Sequence, residues 1–160
     1  MRSAVALLEL ESNIRAPIAR VFDLSRSIDL HVVSTAKTGE RAIAGVTSGL
    51  IGLHQQVTWR ARHFGVWQTF TSKITQFERP FYFRDTMVRG IFARFAHDHR
   101  FFETASGTSM RDTLDFKAPL GFLGRIAEVC VLENYLRRLL RHRNEVIQVA
   151  AESEQWRDFL

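Results

Sequence analysis

Apolar and polar residues alternate along most of the first three quarters of the chain, with the two-residue period of half-buried β-strands. The first such run extends from Val5 to Asn13, and glycine or proline separates the later ones. Short connections between consecutive strands favour antiparallel pairing. Six further strands are predicted at about 40–47, 53–63, 67–77, 82–89, 94–103 and 108–117.

Two short helices are predicted between the first and second strands. Pro17 favours a helix from Ile18 to Leu24, because proline in a first helical turn lacks only an N–H group that would be unpaired there. Ser25 or Ser27 then provides a cap for a second helix from Ile28 to about Ser34.

One long helix is predicted after Pro119 and Gly121, from Phe122 to about Ala150, because apolar residues recur there at spacings of three and four. We expect Ile126, Cys130 and Leu139 or Leu140 to be buried against the sheet. A basic cluster late in this helix is expected to form a solvated face that favourably meets the helix dipole. The cluster consists of Arg137, Arg138, Arg141, His142 and Arg143.

This order of elements predicts an α+β fold in which a seven-stranded antiparallel sheet curves around the long C-terminal helix. The sheet must bury one face, and the helix is the largest apolar element available to cover it. Residues 1–150 are expected to form a single domain. Residues 151–160 are expected to form a frayed tail, with docking through Trp156 and Phe159 as the alternative.

Composition agrees with one globular domain. The 160 residues are 46% hydrophobic and include 13 Phe, which is too much apolar surface for a disordered chain. The single cysteine, Cys130, excludes an internal disulfide and a cysteine-based zinc site. Glu9 and Glu11 interrupt the apolar start, so we expect no signal peptide. No run of 18 apolar residues is present, so we expect no membrane span. A cytoplasmic location is therefore expected.

The net charge of +5 raises the question of acidic partners. The basic residues are spread along the chain, apart from the cluster in the long helix, so we expect no nucleic-acid binding. Glycine-rich phosphate-binding motifs are absent, as is a serine in a Gly-x-Ser-x-Gly turn. No cofactor is therefore expected.

Five short segments within residues 3–150 carry a family resemblance. They are Ile14-x-x-Pro17-x-x-x-Val21-Phe22, Trp59 to Gly65, Asp85-x-x-x-Arg89-Gly90-x-Phe92, His97-x-His99-x-Phe101 and Pro119-Leu120-Gly121-x-Leu123-Gly124. Together they resemble the START-like or SRPBCC superfamily, and in particular a bacterial polyketide cyclase-like, ligand-binding subgroup. The resemblance implies the helix-grip fold with an internal cavity, and hence that residues 1–150 form a single START-like ligand-binding domain. The superfamily contains carriers, receptors and enzymes, so the fold alone does not decide the function.

Alternation also predicts which side chains face the cavity. Leu53, Val57, Trp59, Ala61 and His63 share one side of the third strand, opposite a polar side. The expected ligand-binding residues are Trp59, His63, Phe83, Asp85, Met87, Phe95, His97, His99, Phe101, Met110, Asp112, Leu123 and Ala127.

His97, His99, Asp85 and Asp112 are unusual on an otherwise apolar face. We expect them to pair, because burying an unpaired carboxylate costs several kcal/mol. Three roles remain open for them: a structural network, a polar anchor for a ligand, and acid–base catalysis by His97, His99 and Asp112. A two-His, one-carboxylate metal site has no evident fourth ligand, so no metal is expected.

The leading hypothesis is a cytosolic carrier or sensor that binds a hydrophobic small molecule, such as a lipid, an isoprenoid or an aromatic polyketide, in the cavity. The alternative is a cyclase or dehydratase that uses the His and Asp groups, although no unambiguous catalytic set is present. Apolar loop tips predict a portal at Phe64, Ile91, Phe92 and Phe122. Contact with a membrane surface is expected to be transient at most.

Overall fold

The computed structural model describes the backbone of residues 6–118 and 125–160, and the side chains of residues 6–118 and 130–160. Its main feature is an antiparallel sheet of seven strands. The strands are β1 Ala6–Ile14, β2 Arg41–Gly45, β3 Gln56–His63, β4 Val66–Glu78, β5 Tyr82–Arg89, β6 Arg94–Thr104 and β7 Gly107–Lys117. Their spatial order is β1-β7-β6-β5-β4-β3-β2, in which only the β1–β7 pair joins strands that are distant in sequence.

The helices lie where the sequence predicts them. They are α1 Ile18–Ser25, α2 Ile28–Ser34 and α3 Arg125–Glu152, with short 3₁₀ turns at Ala36–Thr38 and Glu154–Asp158. Ser27 caps α2 by accepting a hydrogen bond from the Leu30 N–H at 3.4 Å. Among the described residues, no helix combines the length and the apolar character that crossing a membrane requires. The predicted helix-grip architecture is thus confirmed.

The start of β3 is a correction. Residues 53–55 were expected to extend this strand, with Leu53 on its inner face. Instead His54 adopts a positive φ of 65°, and Leu53 is 44% exposed. His54 donates its backbone N–H to the carbonyl of Ile74. The chain therefore turns before it enters the sheet at Gln56.

The core forms where α1 and the C-terminal part of α3 cover the sheet. The Phe22 ring of α1 meets Phe77, Phe83 and Phe101 edge-on, with centroids 5.2–5.4 Å apart. Ile147 of α3 belongs to the same cluster. This packing fills one end of the concave face.

Cys130 is exposed, so its predicted place in the core is wrong. Leu132, Leu136 and Leu140 are spaced about one helical turn apart and pack on the core. Cys130 lies on a different side of α3 from these three residues. The side chain of Ile126 lies outside the described residues.

The C-terminal segment docks rather than frays. Trp156 and Phe159 are partly buried and pack against the core, and Ala151 is fully buried. The Ser27 hydroxyl also donates a 3.5 Å hydrogen bond to the carbonyl of Phe159.

Truncation of Leu140 to alanine is expected to lower the free energy of unfolding by about 2–5 kcal/mol, because it leaves a cavity among Leu8, Leu114 and Phe116. The same helix provides a control at the exposed Val149, where V149A is expected to change stability by about 0.5 kcal/mol or less. Denaturant unfolding of both variants checks this. Equal stabilities would show that α3 is not a core element.

Candidate ligand-binding cavity

A cavity of about 250 Å³ lies between the concave face of the sheet and the helices α2 and α3. This volume is close to the lower end of the roughly 300–1,000 Å³ typical of small-molecule sites. Most of its wall is aliphatic or aromatic. The apolar lining residues are Ile28, Ile51, Val57, Trp59, Ala61, Phe70, Ile74, Phe83, Ile91, Phe92, Phe95, Leu114, Leu136, Leu139 and Leu140.

Seven of the expected ligand-binding residues line this cavity, in the strand phases that alternation predicts. They are Trp59, His63, Phe83, Asp85, Phe95, His97 and His99.

Four others do not line it. Phe101 and Met110 face each other across β6 and β7, and both are completely buried under α1. Asp112 is buried behind the two histidines. Met87 is half-buried beside a register shift in the β4–β5 ladder. The side chains of Leu123 and Ala127 lie outside the described residues.

The polar part of the wall is a network in which both histidines lie between two carboxylates. Strand register places His97 opposite Asp85, and His99 opposite Asp112. His97 Nε2 lies 2.8 Å from Asp112 Oδ1, and His99 Nε2 lies 2.9 Å from Asp85 Oδ2. The expected pairing is confirmed. His99 Nδ1 is also 3.0 Å from Asp112 Oδ1, but at angles that make this a close ion pair rather than a hydrogen bond.

Residues of α3 hold Asp112 in place. Asn144 donates from Nδ2 to Asp112 Oδ2 at 2.7 Å, and Arg143 Nη1 lies 3.7 Å from Asp112 Oδ1. Arg143 also donates to the carbonyl of Ser25 at 2.8 Å. Its placement on a solvated helix face was therefore wrong: it is 8% exposed and lines the cavity. The other cluster members are not buried.

The buried surroundings shift the pKa values of the two histidines in opposite directions. Burial alone would raise the pKa values of Asp85 and Asp112, but the contacts with the histidines have the larger, opposite effect. The pKa of Asp85 is therefore lowered, and that of Asp112 lies well below its usual range. Burial and repulsion by His99 lower the pKa of His97. Burial also opposes the charge on His99, but its two carboxylate partners raise its pKa. The surroundings therefore favour the neutral form of His97 and the charged form of His99, beside two carboxylates and Arg143.

A second polar group joins the cavity wall to its helices, and local sequence patterns did not predict it. His31 of α2 contacts Glu40 at 2.5 Å and lies on the Trp59 ring, with centroids 4.3 Å apart. His63 Nδ1 lies 2.7 Å from the hydroxyl of Tyr135 on α3. Burial alone would raise the pKa of Glu40, but the hydrogen bond to His31 outweighs burial, so the pKa of Glu40 is lowered. Burial lowers the pKa of His63.

No family model matches this sequence, and no curated protein matches it. Solved structures do match its fold. The Zhui aromatase/cyclase of Streptomyces sp. R1128 is 16% identical, with a TM-score of 0.75 over 93% of this chain and 94% of its own. A START superfamily protein of Mycobacterium smegmatis is 10% identical, with a TM-score of 0.68 over 91% and 97%. The protein TTHA0849 of Thermus thermophilus is 19% identical, with a TM-score of 0.71 over 92% and 100%.

The chain has the START-like helix-grip fold. Structural similarity at such low sequence identity supports a shared architecture but not a shared function. What the helix-grip cavity of this chain binds must be argued from its own residues.

The expected portal residues occupy different positions around this helix-grip cavity. Ile91 and Phe92 line it, and Phe92 packs on Phe70 and Phe95. Phe64 does not line it: this residue sits at the β3–β4 hairpin tip with a positive φ of 51°, is 63% exposed and lies against the Tyr135 ring. Phe122 lies outside the described residues.

Proposed function

We propose that this protein binds a hydrophobic small molecule inside the helix-grip cavity, as a carrier or sensor. The observation that carries the proposal is the cavity wall itself: most of its surface is apolar, and polar side chains, among them Asp85, His97 and His99, interrupt it at defined points. Such a wall is the usual form of a small-molecule site, since apolar contact supplies affinity and polar groups fix orientation.

The walls indicate the chemical class of the ligand. Trp59, Phe83 and Phe95 offer aromatic surfaces to a flat or branched apolar body. The network of Asp85, His97 and His99 offers hydrogen bonds to one carbonyl or hydroxyl group. A ligand that matches this wall has an apolar body and one oxygenated end. Aromatic polyketide-like compounds, isoprenoids and lipids include such molecules.

Titration with the fluorescent apolar probe 1-anilinonaphthalene-8-sulfonate tests the proposal. We expect one saturable site, and displacement of the probe by flat aromatic polyphenols, isoprenols or fatty acids. Absence of saturable binding to the folded protein would contradict the proposal. Mass spectrometry of the purified protein extracts identifies any ligand that is already bound.

A second candidate function rests on the unequal histidines. The two imidazoles lie side by side, with ring centroids 3.8 Å apart, and their surroundings lower the pKa of His97 and raise that of His99. Such a pair favours a proton acceptor and a proton donor on one cavity wall, as a cyclase or dehydratase requires. If this holds, the folded protein accelerates the exchange of the acidic protons of a bound aromatic β-diketone in D₂O. Replacement of His97 by glutamine, whose amide can still donate a hydrogen bond to Asp112 but does not take up a proton, is expected to remove this acceleration and retain binding. Equal exchange rates in the two proteins would exclude this second function.

We further propose a cytoplasmic setting with a small-molecule partner rather than nucleic acid. The only cysteine is free, which suits a reducing compartment. Two residues of the basic cluster of α3 make contacts within the protein: Arg143 is buried, and Arg137 pairs with Glu133 at 3.0 Å. Arg138 and Arg141 remain exposed.

A further inference from the structure

Three side chains that commonly bind metals converge on one point of the cavity wall. One nitrogen of each imidazole of His97 and His99 and one carboxylate oxygen of Asp85 all lie within 4.8 Å of one another. The Asp85 Oδ2 atom is 2.9 Å from His99 Nε2 and 3.9 Å from His97 Nδ1. Ligand atoms at zinc-bonding distance from one tetrahedral ion stand about 3.3 Å apart. The three groups therefore need only small adjustments to share an ion.

The second nitrogen of each imidazole faces the buried carboxylate of Asp112. His97 Nε2 and His99 Nδ1 lie 2.8 and 3.0 Å from the same oxygen, Asp112 Oδ1. A ligating histidine in a metal site almost always gives its other N–H to such a carboxylate, which fixes the ring and makes it a better ligand. Asn144 in turn holds Asp112 at 2.7 Å.

The arrangement also leaves one buried nitrogen unsatisfied. Within the described residues, His99 Nδ1 has no hydrogen-bond partner, although the side chain is 1% exposed. Buried polar atoms are normally paired, so an unpaired one on a cavity wall calls for an explanation. Coordination through Nε2 with a small rotation of the ring would bring Nδ1–H into line with Asp112 Oδ1, which is already 3.0 Å away.

We propose that Asp85, His97 and His99 bind a Zn²⁺ ion on the cavity wall, with its fourth position open to the cavity. Two imidazoles and one carboxylate are a donor set that zinc accepts, and a fourth protein ligand is not needed where water or a bound molecule completes the site. The expectation of no metal relied on that missing fourth ligand. The proposal goes beyond hydrophobic binding, which requires no ion.

Zinc titration of the full chain, stripped with EDTA and monitored through a competing chromophoric chelator, tests this site. We expect one equivalent of Zn²⁺ with a submicromolar Kd. Asp85→Asn is expected to weaken binding at least about 100-fold, since it removes the charged ligand. His63→Ala, which changes another histidine of the same cavity, is the control and retains the wild-type affinity.

Binding no tighter than about 100 µM would overturn the proposal. Undiminished affinity in D85N would also overturn it, as would loss of binding in H63A with D85N unaffected.

A measurement on the unaltered chain keeps the test decisive if D85N does not fold. In the Co²⁺-loaded protein, proton NMR is expected to show two strongly shifted, solvent-exchangeable imidazole N–H signals, one each from His97 and His99. Absence of such signals at saturating Co²⁺ would overturn the proposal.

Discussion

Replacement of Asp112 by alanine is expected to lower the free energy of unfolding by about 3–5 kcal/mol, because it leaves buried partners without their counter-charge. Asp112 is 1% exposed and contacts His97, His99, Asn144 and Arg143. Its removal leaves the buried guanidinium of Arg143 without its nearby carboxylate, and the imidazoles of His97 and His99 without one of their two carboxylate partners. Denaturant unfolding followed by circular dichroism measures the change.

The control for this substitution is Asp115 on the same strand. Asp115 pairs with Arg94 at 2.7 Å, and both side chains are substantially solvated. D115A is therefore expected to change stability by about 1 kcal/mol or less. Similar losses in the two variants would show that the buried network does not stabilise the fold in the way described.

Replacement of Ala61 by phenylalanine is expected to weaken binding of a hydrophobic ligand about 100-fold, since the new ring occupies the space that the ligand needs. Ala61 lines the cavity from β3 and is 3% exposed. The larger side chain is expected to lower the free energy of unfolding by about 1–3 kcal/mol, so the variant stays folded. Titration with the fluorescent probe measures the affinity.

The matched control is the same substitution at Ala44, which is exposed on β2. A44F is expected to bind the probe as the unaltered protein does. Wild-type affinity in A61F would mean that the probe binds elsewhere, and the cavity would lose its proposed role.

Much of the network could be predicted from the sequence because a β-strand places every second residue on the same face. Alternation placed His97 and His99 on one inner face, and hairpin connections made β6 and β7 neighbours. Together these two facts brought Asp112 within reach of both histidines. The same reasoning could not find the partners on α3, because it assigned Arg143 from the local density of charge rather than from the turn of the helix that meets the sheet.

Strand period shows which face a residue occupies, but not what covers it. Phe101 shares a face with His97 and His99, yet α1 covers the end of the sheet where Phe101 lies and seals it into the core. Phe101 was therefore assigned to the ligand site when it belongs to the packing beneath α1. The His31–Glu40 pair was missed for a related reason: its residues lie at the end of a short helix and before a strand, where no period applies.

Crystallography of the protein saturated with the tightest ligand found by probe displacement tests the central claim most directly. We expect ligand density inside the cavity, against Trp59 and Phe83, with an oxygen atom within hydrogen-bonding distance of His97, His99 or Asp85. Density on the outer face of the sheet, with the cavity empty at saturating ligand, would contradict the account.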